Sequence, residues 1–110
     1  MIAPMDSGAF SERLNLLRPV DTADGQGGVT RGFESFGKAW ARVEPQSVAF
    51  DEEANAGVGR ITHRIWLRHR DDLAAEMRFA KGGRQFRLVT FHDPDETGRY
   101  LVCRCEEISS

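Results

Sequence analysis

The sequence predicts an all-β fold, a small antiparallel β-barrel or sandwich of five to six strands with a long loop between strands two and three. Three observations point there. RITHRIWLRHR alternates strictly, with Ile61, His63, Ile65, Leu67 and His69 on one face and Thr62, Arg64, Trp66, Arg68 and Arg70 on the other. Further short alternating runs are punctuated by turn signals, the Gly82-Gly83 step and HDPDETGR. Short strands of this kind expose their edges unless the sheet closes or doubles over.

The elements follow in order. Residues 1–12 read as a flexible N-terminal segment, with Phe10 as a hydrophobic anchor. Arg13–Arg18 alternates Leu14 and Leu16 with polar neighbours and forms the first strand, closed by Pro19, which cannot donate to a ladder. DTADGQGGVTRG is then a turn-rich connection. FGKAWARVE, Phe36–Glu44, is the second strand, with Trp40 and Arg42 on one face, Ala39, Ala41 and Val43 on the other, and Pro45 as its end. After the 45–59 loop comes the third strand, its Ile/Leu face inward and its Arg face exposed. DDLAAEM is the one stretch with helix-starting character, and it is too short to stand alone. AEMRFA sets Met77 beside Phe79, RQFRLVTF sets Phe86 beside Leu88, and RYLVCRCEEI sets Leu101, Cys103 and Cys105 opposite Tyr100, Val102 and Arg104. Residues 13–107 therefore form a single β-domain, and 108–110 a C-terminal tail.

Bulk properties narrow the function. With 110 residues the chain has room for one core. Its 40% hydrophobic and 29% charged residues suit a soluble folded domain. MIAPMDSGAF has neither the basic start nor the apolar centre of a signal peptide, and no apolar run reaches the roughly 18 residues of a membrane span, so the expectation is a protein made in the cytosol, without a membrane partner. Residues 1–59 carry five Lys/Arg against nine Asp/Glu, net −4, and residues 60–110 carry ten against eight, net +2. Neither half has the basic excess that tight binding through phosphate neutralisation requires.

No catalytic or metal site is expected. Cys103 and Cys105 are the only cysteines; their spacing strains a disulfide in an extended segment and lacks the second pair of a zinc site, so both read as reduced, buried small hydrophobes. No cofactor motif is present: GQGGVTRG lacks the Lys-Ser/Thr ending of a phosphate loop and the glycine spacing of a dinucleotide turn. His63 and His69 lie six residues apart on one strand face, too far to share a metal, and His92 reads as a loop residue. Arg60, Arg64, Trp66, Arg68 and Arg70 form a basic row around an aromatic, a composition that favours a subunit interface. The alternative is a small β-barrel module binding single-stranded nucleic acid through the Arg64/Trp66/Arg68 face.

Taken in order, RLNLLRP, DGQGG, KAWARVEP, a long variable loop, RITHRIWLRHRDDL, MRF, GGRQFRLV and LVCRCEE resemble the head-tail joining proteins of long-tailed bacteriophages and phage-derived particles, also called head-closure, stopper or connector proteins. The resemblance runs from about Leu14 to Glu107. It implies a non-enzymatic β-barrel that assembles into a homo-oligomeric ring in the neck of a virion, prophage particle or gene transfer agent, assembled in the bacterial cytoplasm. The implied partners are a portal-side adaptor, a tail terminator or tail-tube protein, and packaged double-stranded DNA in the channel. It also implies that the loop after the second strand faces the channel, which assigns Phe50, Asp51, Glu52, Glu53, Gly57 and Gly59 to a channel loop. An acidic centre repeated around a ring would repel phosphates, and its glycines would serve as hinges.

Overall fold

In a computed structural model that describes residues 10–49 and 61–108, six strands follow one another along the chain. They are β1 (Glu12–Ala23), β2 (Val29–Ala49), β3 (Ile61–Arg68), β4 (Arg78–Lys81), β5 (Arg84–His92) and β6 (Tyr100–Ile108). Every neighbouring pair is antiparallel, in the order β1-β2-β3-β6-β5-β4. The sheet closes on itself through a short seam in which Asn15, Leu16 and Leu17 pair with Ala80, Phe79 and Arg78.

Alternation decides what fills the interior. Leu14 and Leu16, Ala41, Ile65 and Leu67, Phe79, Phe86 and Leu88, Leu101, Cys103 and Cys105 all point inward and form one buried cluster. Each large side chain removed from water there contributes roughly 1.5–3 kcal/mol. The 69–77 connection crosses from β3 to β4, which are not neighbours, and seats Met77 in the core with Leu73 packed against it. It contains a turn rather than a helix, with Met77 N–H donating to Ala74 O at 3.3 Å. The two cysteines are free and buried, as their sequence context predicts. Burial pushes the Cys103 thiol up to about 12; burial also raises Cys105, with Cys103 adding to the shift and the Arg87 guanidinium opposing it.

Several sequence expectations are corrected. The first strand does not stop at Pro19, nor the second at Pro45. β1 continues to Ala23, and β2 runs from Val29 to Ala49 with a bulge between Pro45 and Ala49. Both prolines are tolerated because each lies where its strand is paired on one side only: Pro19 opposite Phe33 beyond the β4 seam, and Pro45 opposite His63 beyond the last β1 pair. Most of DTADGQGGVTRG is consequently strand, and only Asp24–Gly28 turns. The Asp24 carboxylate accepts the N–H groups of Gln26 and Gly28 at 2.7 and 3.0 Å, and Gly25 and Gly27 take positive φ.

Another correction concerns the arginine face of β3. Trp66 is only 6% exposed, packed with Phe10, Val102 and Tyr100 in a second cluster on the outside of the sheet. Phe10 thus anchors the N-terminal segment, its ring edge-on to Tyr100 at 5.5 Å. His69, expected on the core side, is exposed beyond the end of β3.

Candidate functional site

β2 is 21 residues long, and the barrel uses only its middle. Toward its start, residues 29–34 pair with 18–23 of β1, and neither stretch pairs with another strand, forming a two-stranded arm that ends in the Asp24–Gly28 turn. Toward its end, β2 pairs with β3 alone as far as Ala49 opposite Ile61. The arm and the root of the β2–β3 connection are therefore at opposite ends of one strand, in a molecule measuring 53 × 30 × 26 Å.

The arm is ordered by its own cross-strand chemistry. A bulge at Leu16/Leu17 marks where it leaves the barrel. Arg18 pairs with Glu34 directly opposite at 3.0 Å, and Arg31 with Asp21 directly opposite at 2.9 Å. The Arg31 guanidinium holds the Asp21 carboxyl below its ordinary range, chiefly through that hydrogen bond. At its base Phe33 lies under the Arg78 guanidinium, 3.9 Å from the ring centre. At its tip Val29 is 69% exposed. Nothing in this layout is catalytic; it is a stiff projection with a small apolar end.

The other end of the barrel holds a pocket of about 250 Å³ lined by Leu14, Val43, Pro45, His63 and Phe86, with Glu12, Lys81 and Arg84 at its edge. The charges there are already paired: Lys81 with Glu12, and Arg84 with both carboxylate oxygens of Glu107 at 2.8 and 3.2 Å. His63 is buried, with Nε2 3.4 Å from Arg84 and 3.9 Å from Glu107 and its ring edge-on to Phe86. Burial lowers its pKa; Glu107 opposes the shift and Arg84 adds to it. Its Nδ1 lies 3.0 Å from the Thr62 hydroxyl, which in turn accepts the Glu107 N–H at 2.7 Å, and no group of three or more potential metal ligands occurs among the described residues.

The residues expected to act from the sequence are dispersed. Phe50, Asp51, Glu52, Glu53, Gly57, Gly59 and Arg60 lie outside the described residues. Arg64 is half-buried and reaches Gln46 at 3.4 Å. Arg70, past the end of β3, holds Asp72 at 2.7 Å and donates to the Lys38 carbonyl. Arg68 is exposed on the outward face. Trp66 gives its indole N–H to Glu44 at 2.7 Å and keeps its ring under Phe10, so the Arg64/Trp66/Arg68 face offers no free ring on which a base could stack. The exposed indole is Trp40 instead, 53% exposed, with the Arg13 guanidinium 5.4 Å over it. Its signal in the sequence was its place in K-A-W-A-R, outward between two cations.

Residues 5–108 match the sequence profile of a family described as phage head completion protein. Among solved structures, the chain is similar to a chain in the virion of a native gene transfer agent particle, with 30% identity, 91% of this chain and 96% of that one covered, and a TM-score of 0.65. It is also similar to protein SF1141 from Shigella flexneri 2a, with 26% identity, coverage of 92% and 96%, and a TM-score of 0.62. No curated protein matches the sequence.

Proposed function

The chain belongs to the phage head completion protein family, a structural component of the head-tail junction of phage-type particles, and from that premise we propose how it works there. It is a ring-forming stopper subunit between a portal-side adaptor and the tail terminator or tail tube. The loop read from the sequence at residues 45–59, whose first five residues the structure places in β2, helps close the channel around packaged double-stranded DNA. The observation that carries the reading is the family match along nearly the whole chain, supported by likeness to a chain of a gene transfer agent virion.

The geometry suits such a role. A neck subunit meets different neighbours on its head and tail sides, and the barrel carries a separate projection at each end of β2. The barrel between them is filled by one main buried cluster, with paired charges on β5 and β6 outside it. Asp51, Glu52 and Glu53 would face DNA phosphates with like charge, which favours a sliding or closing surface over a clamp.

Deleting Asp51–Gly57 tests this directly in particles that carry the shortened chain. The expected result is a folded barrel with heads that lose DNA or fail to join tails. Infectious, DNA-retaining particles from that deletion would remove the loop's role.

A further inference from the structure

On most of the described surface, cations are matched by carboxylates: Arg18 by Glu34, Arg31 by Asp21, Lys81 by Glu12, Arg84 by Glu107 and Arg87 by Glu106. The outward face of β1 and β2 differs. Lys38, Trp40 and Arg42 follow one another at every second position of β2, and Arg13 stands opposite Trp40 on β1. All four are exposed, and among the described residues Arg13 and Lys38 make no ion pair, while Arg42 is held by Glu44 at 3.2 Å. Arg68 follows Leu67, the partner of Ala41, and so extends the same outward row beside Trp40. An exposed tryptophan ringed by cations is the composition of an interface hot spot, and its charge calls for an acidic counterpart.

The order β1-β2-β3-β6-β5-β4 puts β5 and β6 across the barrel from β2 and β1. Their connecting hairpin carries Asp93, Asp95 and Glu96 against Arg99, and it follows Phe91, 38% exposed. The hairpin is braced by hydrogen bonds of its own. Asp93 accepts the N–H groups of Glu96 and Gly98 at 2.8 and 2.6 Å, Asp95 accepts the Thr97 hydroxyl at 2.7 Å, and Glu96 is left exposed at φ 59. The two surfaces also share a level along the strands. Glu12 pairs with Ala41, Ala41 with Leu67 and Leu67 with Leu101, and the positions one step further on are Arg13, Trp40, Arg68 and Tyr100, the last being where the hairpin re-enters the sheet.

We propose that copies of this chain join head to tail, with the Trp40 patch of one copy seated on the acidic β5–β6 hairpin of the next. Two different complementary surfaces on opposite sides of one barrel, at one level, are what a closed ring of identical subunits requires, because a heterologous contact repeats around the axis. The pre-set hairpin limits the ordering cost of docking. The proposal rests on the ring reading above and names the contact that builds the ring.

The test uses assembled particles carrying full-length protein with Lys38→Cys and Glu96→Cys together, or either alone, treated with a short bismaleimide. Cys103 and Cys105 are buried and do not compete under native conditions. The expected result is a ladder of linked copies with the double variant and none with either single. Parallel treatment with a photoactivated bis-diazirine cross-linker, which does not depend on the chain's two lysines, separates the two ideas. Multimers with that reagent but no thiol ladder overturn the Trp40 contact and leave the ring; monomers with both reagents overturn the ring itself. A second arm exchanges charge. Lys38→Glu and Glu96→Lys should each lower the yield of tailed particles, and the double exchange should restore it; failure of the exchange to restore beyond the worse single variant contradicts the pairing.

Discussion

Trp66 donates its indole N–H to Oε1 of Glu44 at 2.7 Å across the β2–β3 pair, while Phe10 covers its ring from outside. One side chain thereby fastens the N-terminal segment to the strand that leads into the β2–β3 connection. Glu44→Ala leaves a largely buried N–H without its acceptor and should cost about 1–3 kcal/mol. Phe10→Ala should cost about 3 kcal/mol. In a Trp40→Phe background, where Trp66 is the only indole, Phe10→Ala should also shift emission to longer wavelength before unfolding. Urea titration followed by fluorescence measures both effects.

The buried imidazole gives stability a pH dependence of definite sign. His63 has its folded pKa lowered from 6.5 by burial, so its contribution is complete above that value. It is lost as pH falls toward the folded value, because the unfolded chain takes up the proton first. The melting temperature should therefore drop as pH falls below about 6.5. His63→Gln should flatten that part of the profile, and its persistence in the variant would assign the dependence to another group.

The thiols should be silent in the native state. With Cys103 pushed up to about 12 and both sulfurs buried, a disulfide reagent at mildly alkaline pH finds almost no accessible thiolate. Native protein should react only as fast as it opens, and denatured protein should titrate two thiols at once. Rapid native labelling would contradict the packing of β6.

Much of the barrel was legible because its signal is local. The alternation of Ile61, Ile65 and Leu67, the Gly82-Gly83 turn with Gly82 at φ 59, and the inward cysteines each announce themselves within a few residues. The failures all required knowledge of neighbours. Pro19 and Pro45 read as strand ends because sequence does not show which strand edge lacks a partner. Trp66 read as exposed because the ring that covers it comes from Phe10, far away in the chain. The arm was hidden for the same reason: its glycines and charges resemble a loop until Arg18 meets Glu34 and Arg31 meets Asp21 across a ladder. The function was legible through the order of segments along the chain, and the family match over residues 5–108 bears that out.

The most direct measurement of the central claim is a cryo-electron-microscopy reconstruction of the neck in particles that carry this chain. The account predicts this six-stranded barrel repeated as a ring between the portal side and the tail, with the connection between Ala49 and Ile61 directed at the DNA axis and the Asp24–Gly28 arm directed away along the other end of β2. A neck without the barrel, or a ring whose β2–β3 connections face outward, would contradict it.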